Sequence, residues 1–340
     1  MSTDVAIILT TKNRAEFVIR QLKYYKLSKN HHPVYIGDSS NINQKKILLD
    51  QLDYFKKFMP IYYYHLPNLN DVKSHIFLTK KVKEKYCAYI GDDDFFIPSS
   101  LTKCANFLEK NNDYVTAIGS AAIFKLKNDN MVKGDIAYIG EYWSKKELLE
   151  EFSKDRVIEF SKNYKVLQFA VNKKSVYANP MKENTKFSHK QFTELLHCFS
   201  SAAHGKSKYL DCLLLIRQGH KNRTSPQSLQ SIPRDDWASS YNLFVEHISN
   251  IIASKDRLEK SLAKKIVEEA FGNLINITTK HNLITNILKK LLITNYFPLK
   301  TIKKFFISIF LFKKDKYLYV KDNKKSKFYE DLKLFYRIIN

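Results

Sequence analysis

The sequence predicts an α/β fold: a mostly parallel sheet with helices on both faces, followed by a C-terminal α-helical region. Three observations predict it. Over the first hundred residues, short apolar runs rich in β-branched residues alternate with segments of helical periodicity. The connections between them are short. Polar clusters recur just after the apolar runs, at the strand ends where ligands sit in such sheets.

Val5–Leu9 is a continuous apolar run, as expected of a strand buried on both faces. A polar turn, Thr10–Arg14, leads into a helix over Ala15–Tyr25 that carries Phe17, Val18, Leu22 and Tyr25 at helical spacing. Val34–Gly37 is the second strand and ends at Asp38-Ser39-Ser40. A helix over Ile42–Phe55, a strand over Ile61–Tyr64 and a helix over Val72–Lys85 follow. Tyr86–Ile90 is the fourth strand and runs into Gly91-Asp92-Asp93-Asp94. The polar clusters Thr11/Arg14, Asp38/Ser39 and Asp92/Asp94 are therefore expected to converge on one cleft. Beyond residue 115 the pattern predicts strands over Val115–Leu126 and Tyr209–Arg217, with helices over Tyr142–Phe152 and Phe187–Ala203. After Pro233 the composition shifts to long amphipathic segments near 236–254, 258–279, 282–295 and 299–312. The expected division is 1–115, 116–232 and 233–340.

With 340 residues and 44% hydrophobic content, the chain can bury a sizeable core. Eight Gly and eight Pro argue against long low-complexity stretches. The formal charge of +23 favours anionic partners, although a Lys-rich codon bias also contributes to such a total. Cys87, Cys104, Cys198 and Cys212 show no metal-ligand spacing and are expected to be reduced, small apolar residues. Neither a signal peptide nor a membrane-spanning run of about 18 apolar residues is expected.

Asp92, Asp93 and Asp94 stand out in so basic a chain. On an extended backbone Asp92 and Asp94 face one side. Together they offer hard oxygen ligands to Mg²⁺ or Mn²⁺. A divalent ion there would neutralise a leaving diphosphate.

These motifs resemble those of the family 2 glycosyltransferases. Thr10-Thr-Lys-Asn-Arg14 resembles the polar turn after that family's first strand, and Asp38-Ser-Ser40 its Asp-Ser-Ser segment. Tyr89-Ile-Gly-Asp-Asp-Asp94, followed by Pro98, resembles its D-x-D motif. Gly37 stands where the family more often has Asp, which leaves the nucleobase open. The resemblance implies a GT-A, Rossmann-like fold and a nucleotide-sugar donor. It implies that Asp38 and Ser39 face the nucleotide, with Thr11 and Arg14 nearby and Asp92 and Asp94 around the metal; Asp93 is counted with the donor site.

Inverting transfer needs a base for the acceptor hydroxyl. The segment Phe192–Leu196, then Ala202–Lys206 and the late strand, resembles the family's acid-bearing helix and Gly-Lys turn, implying Glu194 as base with His189 as alternative. Arg217 and His220 follow the last predicted strand and suit phosphate oxygens, and His220 is a further candidate metal ligand.

Residues 280–327 hold thirteen lysines against two acids, interleaved with apolar runs such as Phe305–Phe312. That pattern suits an interfacial helix on anionic lipid. The expectation is therefore a metal-dependent glycosyltransferase acting on a glycan or lipid-linked acceptor. It would work at the cytoplasmic face of the membrane, in surface-polysaccharide or lipooligosaccharide synthesis. A nucleic-acid binder and a nucleotidyltransferase are the alternatives. The first lacks a helix-turn-helix, zinc or RNP signature, and the second a Gly-rich phosphate loop.

Overall fold

The structure is a computed structural model. It describes residues 3–129, 131–143, 145, 147–180, 186–187, 191–220, 237–275 and 326–339. Their centre is a nine-stranded sheet in the order β3-β2-β1-β4-β8-β6-β9-β5, with β7 paired to β6. The strands are β1 (Val5–Thr11), β2 (Val34–Asp38), β3 (Ile61–His65), β4 (Tyr86–Gly91), β5 (Phe95–Phe96), β6 (Tyr114–Leu126), β7 (Ile136–Glu141), β8 (Val171–Lys173) and β9 (Lys206–Gln218).

The block β3-β2-β1-β4 is parallel throughout. Its strands are linked by α1 (Ala15–Leu27), α2 (Ile42–Lys56) and α3 (Asp71–Lys81). Alternate residues of β1 enter two cores. Val5, Ile7 and Leu9 join the main cluster with Val18, Leu22 and Leu52, whereas Ala6 and Ile8 join Ile76 and Leu78 of α3. Helices on both faces thus explain why β1 reads as unbroken apolar sequence. β2 lies on one side of β1 and β4 on the other, so the chain reverses its direction of travel across the sheet at β1/β4. Such a switch point opens a crevice at the carboxyl ends of the strands.

The short β8 pairs antiparallel with both β4 and β6. β6 then runs parallel to β9, and β5 pairs antiparallel with β9. One sheet therefore passes through the expected 115/116 division, which falls inside β6. The other helices include α4 (Pro98–Lys110), α5 (Ser153–Lys162), α6 (Lys174–Tyr177), α7 (Gln191–His204) and α8 (Ala238–Asp256). Residues 260–275 are also helical. A C-terminal helix spans Tyr329–Ile339. Phe244, Ile248, Val267, Phe271, Leu332 and Phe335 from this region belong to the same core as the sheet.

Among the described residues of Tyr142–Phe152 the expected helix is absent. Leu148 pairs with Ser207 of β9 instead, and the Trp143 indole N–H donates to the Gly119 carbonyl at 2.9 Å. Helix begins only at Ser153. Cys87, Cys104, Cys198 and Cys212 are free thiols, as expected. Among the described residues no helix is long and apolar enough to cross a membrane. The segments near 282–295 and 299–312, including Phe305–Phe312, lie outside the described residues, as does His189.

Candidate active site

The crevice at the β1/β4 switch point is built around the acidic turn. Thr11 ends β1, and its hydroxyl donates to Asp92 Oδ2 at 2.7 Å, bridging the switch point. Asn13 follows with φ of 56°, a left-handed conformation that Asn tolerates better than most residues. Its side chain and backbone bind β2's exit: Ser40 Oγ accepts from the Asn13 N–H at 2.7 Å, and Asn13 Oδ1 accepts from the Asn41 N–H at 2.9 Å. Arg14 comes next. Its guanidinium lies 4.0 Å from the Phe17 ring centroid and reaches back across the turn. Nη1 meets Asp92 Oδ1 at 2.9 Å and Nη2 meets Asp93 Oδ2 at 3.1 Å.

Residues 92–94 form a turn, with the Asp94 N–H directed at the Gly91 carbonyl, 3.4 Å away. The period-two geometry of an extended strand therefore does not apply to them. Asp94, 1% exposed, faces β9. Its Oδ1 accepts from the Gln218 N–H at 2.9 Å and its Oδ2 from Arg217 Nε at 3.0 Å. Arg217 also donates to the Tyr142 hydroxyl and stacks on Tyr142 and Phe169. Asp93 Oδ2 accepts a second contact, from His220 Nε2 at 2.9 Å. His220 Nδ1 lies 3.7 Å from Asp129 Oδ1.

Two residues of α1 hold the turn's backbone. Arg20 donates to the Asp93 carbonyl at 2.7 Å, and Gln21 donates to the Gly91 and Asp94 carbonyls at 3.1 and 2.6 Å. Both are fully buried polar side chains on a helix face otherwise made of Phe17, Val18, Tyr24 and Tyr25. A polar pair inside an apolar stripe was the sequence signal for them. Gln218, Tyr142 and Tyr63 had no comparable signal.

Burial pushes the Asp92 carboxyl up to about 7 and raises Asp94 as well, with the charge of Asp93 adding to both. At Asp93 burial acts in the same direction, but the hydrogen bond from His220 and the charge of Arg14 outweigh it and hold the carboxyl low. Opposite shifts within one turn leave Asp93 as its most acidic member.

Asp38 ends β2 opposite Thr11 in the sheet register. Its Oδ1 accepts from the Ser40 N–H at 2.9 Å and its Oδ2 from the Tyr63 hydroxyl at 2.8 Å. The Ser39 N–H donates to the Thr11 carbonyl at 2.9 Å, and the Ser39 hydroxyl pairs with Ser74. The structure thus joins Thr11, Arg14, Asp92, Asp93, Asp94, Arg217 and His220 in one network, with Asp38 and Ser39 tied to its β1 edge. Glu194 lies on another element, α7, half-buried, where Oε1 accepts from the Tyr164 hydroxyl at 2.7 Å.

For a divalent ion, the donors are right in kind: hard carboxylate oxygens on a turn at a strand end. Asp92 and Asp93 already bind one cation, the Arg14 guanidinium, each through a different nitrogen; among the described residues no set of three ligand atoms converges within 4.8 Å at this turn. Asp94 would have to give up a bond to β9. Elsewhere, Asp4, His31 and His32 bring ligand-type atoms within 4.8 Å of one another. His32 has no lone pair to offer there. Its Nδ1 accepts from the Val5 N–H at 3.2 Å, so in the neutral ring Nε2 carries the hydrogen, which is directed at the Pro98 carbonyl 3.1 Å away.

No known protein family matches the sequence, and no curated protein does. Solved structures of S. aureus TarS are similar in shape. The crystal structure of TarS 1-349 gives a TM-score of 0.48 at 14% identity, covering 79% of this chain and 71% of that one. Its complex with UDP-GlcNAc gives 0.49 at 14% identity, covering 79% and 72%. Its complex with UDP gives 0.49 at 12% identity, covering 98% and 89%. Against the longer TarS crystal structure, the match covers 43% of that chain.

Proposed function

We propose that the chain is a glycosyltransferase that takes a sugar from a nucleoside-diphosphate sugar. The observation that carries this reading is the acidic turn at the β1/β4 switch point, cross-linked to the ends of β1 and β9 by Thr11, Arg14, Arg217 and His220. Cations and carboxylates gathered where parallel strands end suit a diphosphate and its counter-ion. The sequence resemblance to family 2 glycosyltransferases points the same way.

In this reading the Asp38–Ser40 exit of β2 and Thr11 form the nucleotide side. Arg14, Arg217 and His220 face the diphosphate with N–H donors. Mn²⁺ or Mg²⁺, bound through Asp92 and Asp93, would supply charge neutralisation to the leaving diphosphate. Glu194 is the proposed base for an acceptor hydroxyl on a glycan or lipid-linked chain, with inversion at the sugar carbon. Binding of the Lys-rich segment to an anionic membrane, and a place in surface-polysaccharide or lipooligosaccharide assembly, belong to the same proposal.

Thermal-shift titration with UDP, GDP and CDP, each with Mn²⁺ or with EDTA, tests it. At least one nucleotide should stabilise the protein in a metal-dependent way, and Asp92→Ala should remove that stabilisation. Stabilisation by oligonucleotides and by none of the nucleotides would overturn the reading. Turnover of Glu194→Ala at the wild-type rate would remove Glu194 from it.

A further inference from the structure

Arg14 sits where a cation shared by two carboxylates belongs. One nitrogen contacts Asp92 and the other Asp93, at 2.9 and 3.1 Å. Its side chain is 36% exposed, against 7% for Asp92 and 17% for Asp93, so the guanidinium lies at the mouth of the turn and the acids behind it. Arg217 differs. It is bound to Asp94, stacked between Tyr142 and Phe169, and only 18% exposed. Arg14 rests on one ring, Phe17, and is the cation of this network with room to leave.

We propose that Arg14 is the resident counter-cation of the acidic turn and competes directly with a divalent ion for Asp92 and Asp93. Two like charges cannot share the gap between the same carboxylates, so each excludes the other. The metal alone therefore binds weakly. This deepens the proposed function and rests on it in one respect. A diphosphate gives the displaced guanidinium a new anionic partner, so donor and metal are expected to bind together. Arg14 then passes from Asp92 and Asp93 to the phosphate oxygens, and net charge in the crevice stays balanced at each stage.

The test needs no nucleotide and no turnover. Mn²⁺ is titrated into the EDTA-stripped full chain, and bound ion is read from loss of the free Mn²⁺ electron paramagnetic signal. Arg14→Met should bind Mn²⁺ about tenfold tighter than wild type, or more, because a charge-assisted competitor is gone. Arg14→Lys keeps a positive charge but lacks the planar fork, and should fall between the two. Circular dichroism and melting temperature report whether each variant is folded. If Arg14→Met does not fold, the Arg14→Lys result decides alone. Folded variants that bind Mn²⁺ no tighter than wild type would overturn the competition. Failure of every nucleotide to stabilise the protein would instead overturn the transferase reading and leave the metal result standing.

Discussion

Replacing Arg20 with Met should cost the fold about 2–4 kcal/mol, because three buried acceptors lose one charged donor group. Arg20 is 1% exposed and joins three parts of the chain that are distant in sequence. It donates to the Val132 carbonyl at 2.6 Å, to Gln218 Oε1 at 2.7 Å and to the Asp93 carbonyl at 2.7 Å. Its guanidinium lies 4.9 Å from the ring centroids of both Phe17 and Phe95. Met preserves much of the stem volume and removes every donor. Three acceptors then lose their donor, at about 1–3 kcal/mol for each that stays dry. Against this, a cation no longer has to be desolvated, which returns part of the loss. The net effect is a large fraction of the roughly 5–15 kcal/mol that holds a domain together. Urea unfolding followed by circular dichroism measures it. Arg20→Lys should recover only part, since one ammonium does not span three diverging acceptors. A loss below about 1 kcal/mol for Arg20→Met would mean that water replaces the guanidinium, and the claim that α1 braces the acidic turn would fail.

Three further outcomes are expected. Asp94→Asn should destabilise by about 1–3 kcal/mol, because an amide offers one acceptor oxygen where the carboxylate offers two, so either the Arg217 Nε–H or the Gln218 N–H loses its partner; unchanged stability in chemical denaturation would contradict this. Phe335→Ala should cost about 3–5 kcal/mol, since the ring is fully buried against Phe95 and Phe124, and a melting temperature near wild type would count against that packing. Two buried histidines should draw stability down in mild acid, against the raised carboxyls of Asp92 and Asp94, which act the other way. Burial lowers His32 to about 4 and His75 to about 3, so both are neutral when folded and bind protons on unfolding. Their contribution is complete above about pH 6.5 and is lost as pH falls towards those values, with roughly 2 kcal/mol gone from His32 alone by pH 5. The Asp92 and Asp94 carboxyls mask the total, so the stability of wild type relative to His32→Gln is the readout: it should fall between about pH 7.5 and 5, and a pH-independent difference would refute it.

The parallel block was legible because strands buried on both faces carry an uninterrupted apolar signature, and β1 and β4 show it plainly. Their polar exits were legible for the same reason, and Thr11, Arg14 and Asp92 do meet. What local pattern misses is set by distant partners. β8 is three residues long and exists only because β4 and β6 flank it. Tyr142–Phe152 has helical spacing, but Leu148 finds a better partner in Ser207. The geometry of Asp92–Asp94 follows from donors on α1 and β9, far away in sequence, and not from strand periodicity. Asp94 accordingly turns to Arg217 and Gln218.

The packing of Phe335 on Phe95 carries a consequence for how the protein is made. Phe95 adjoins Asp94, so the wall beside the acidic turn is finished by a side chain synthesised long after the strands around it. Until residues 329–339 leave the ribosome, the rings of Phe95 and Phe124 lack their cover, and the nascent chain carries an open apolar seam next to its own crevice. The crevice therefore reaches its final shape only after nearly all of these residues have been translated.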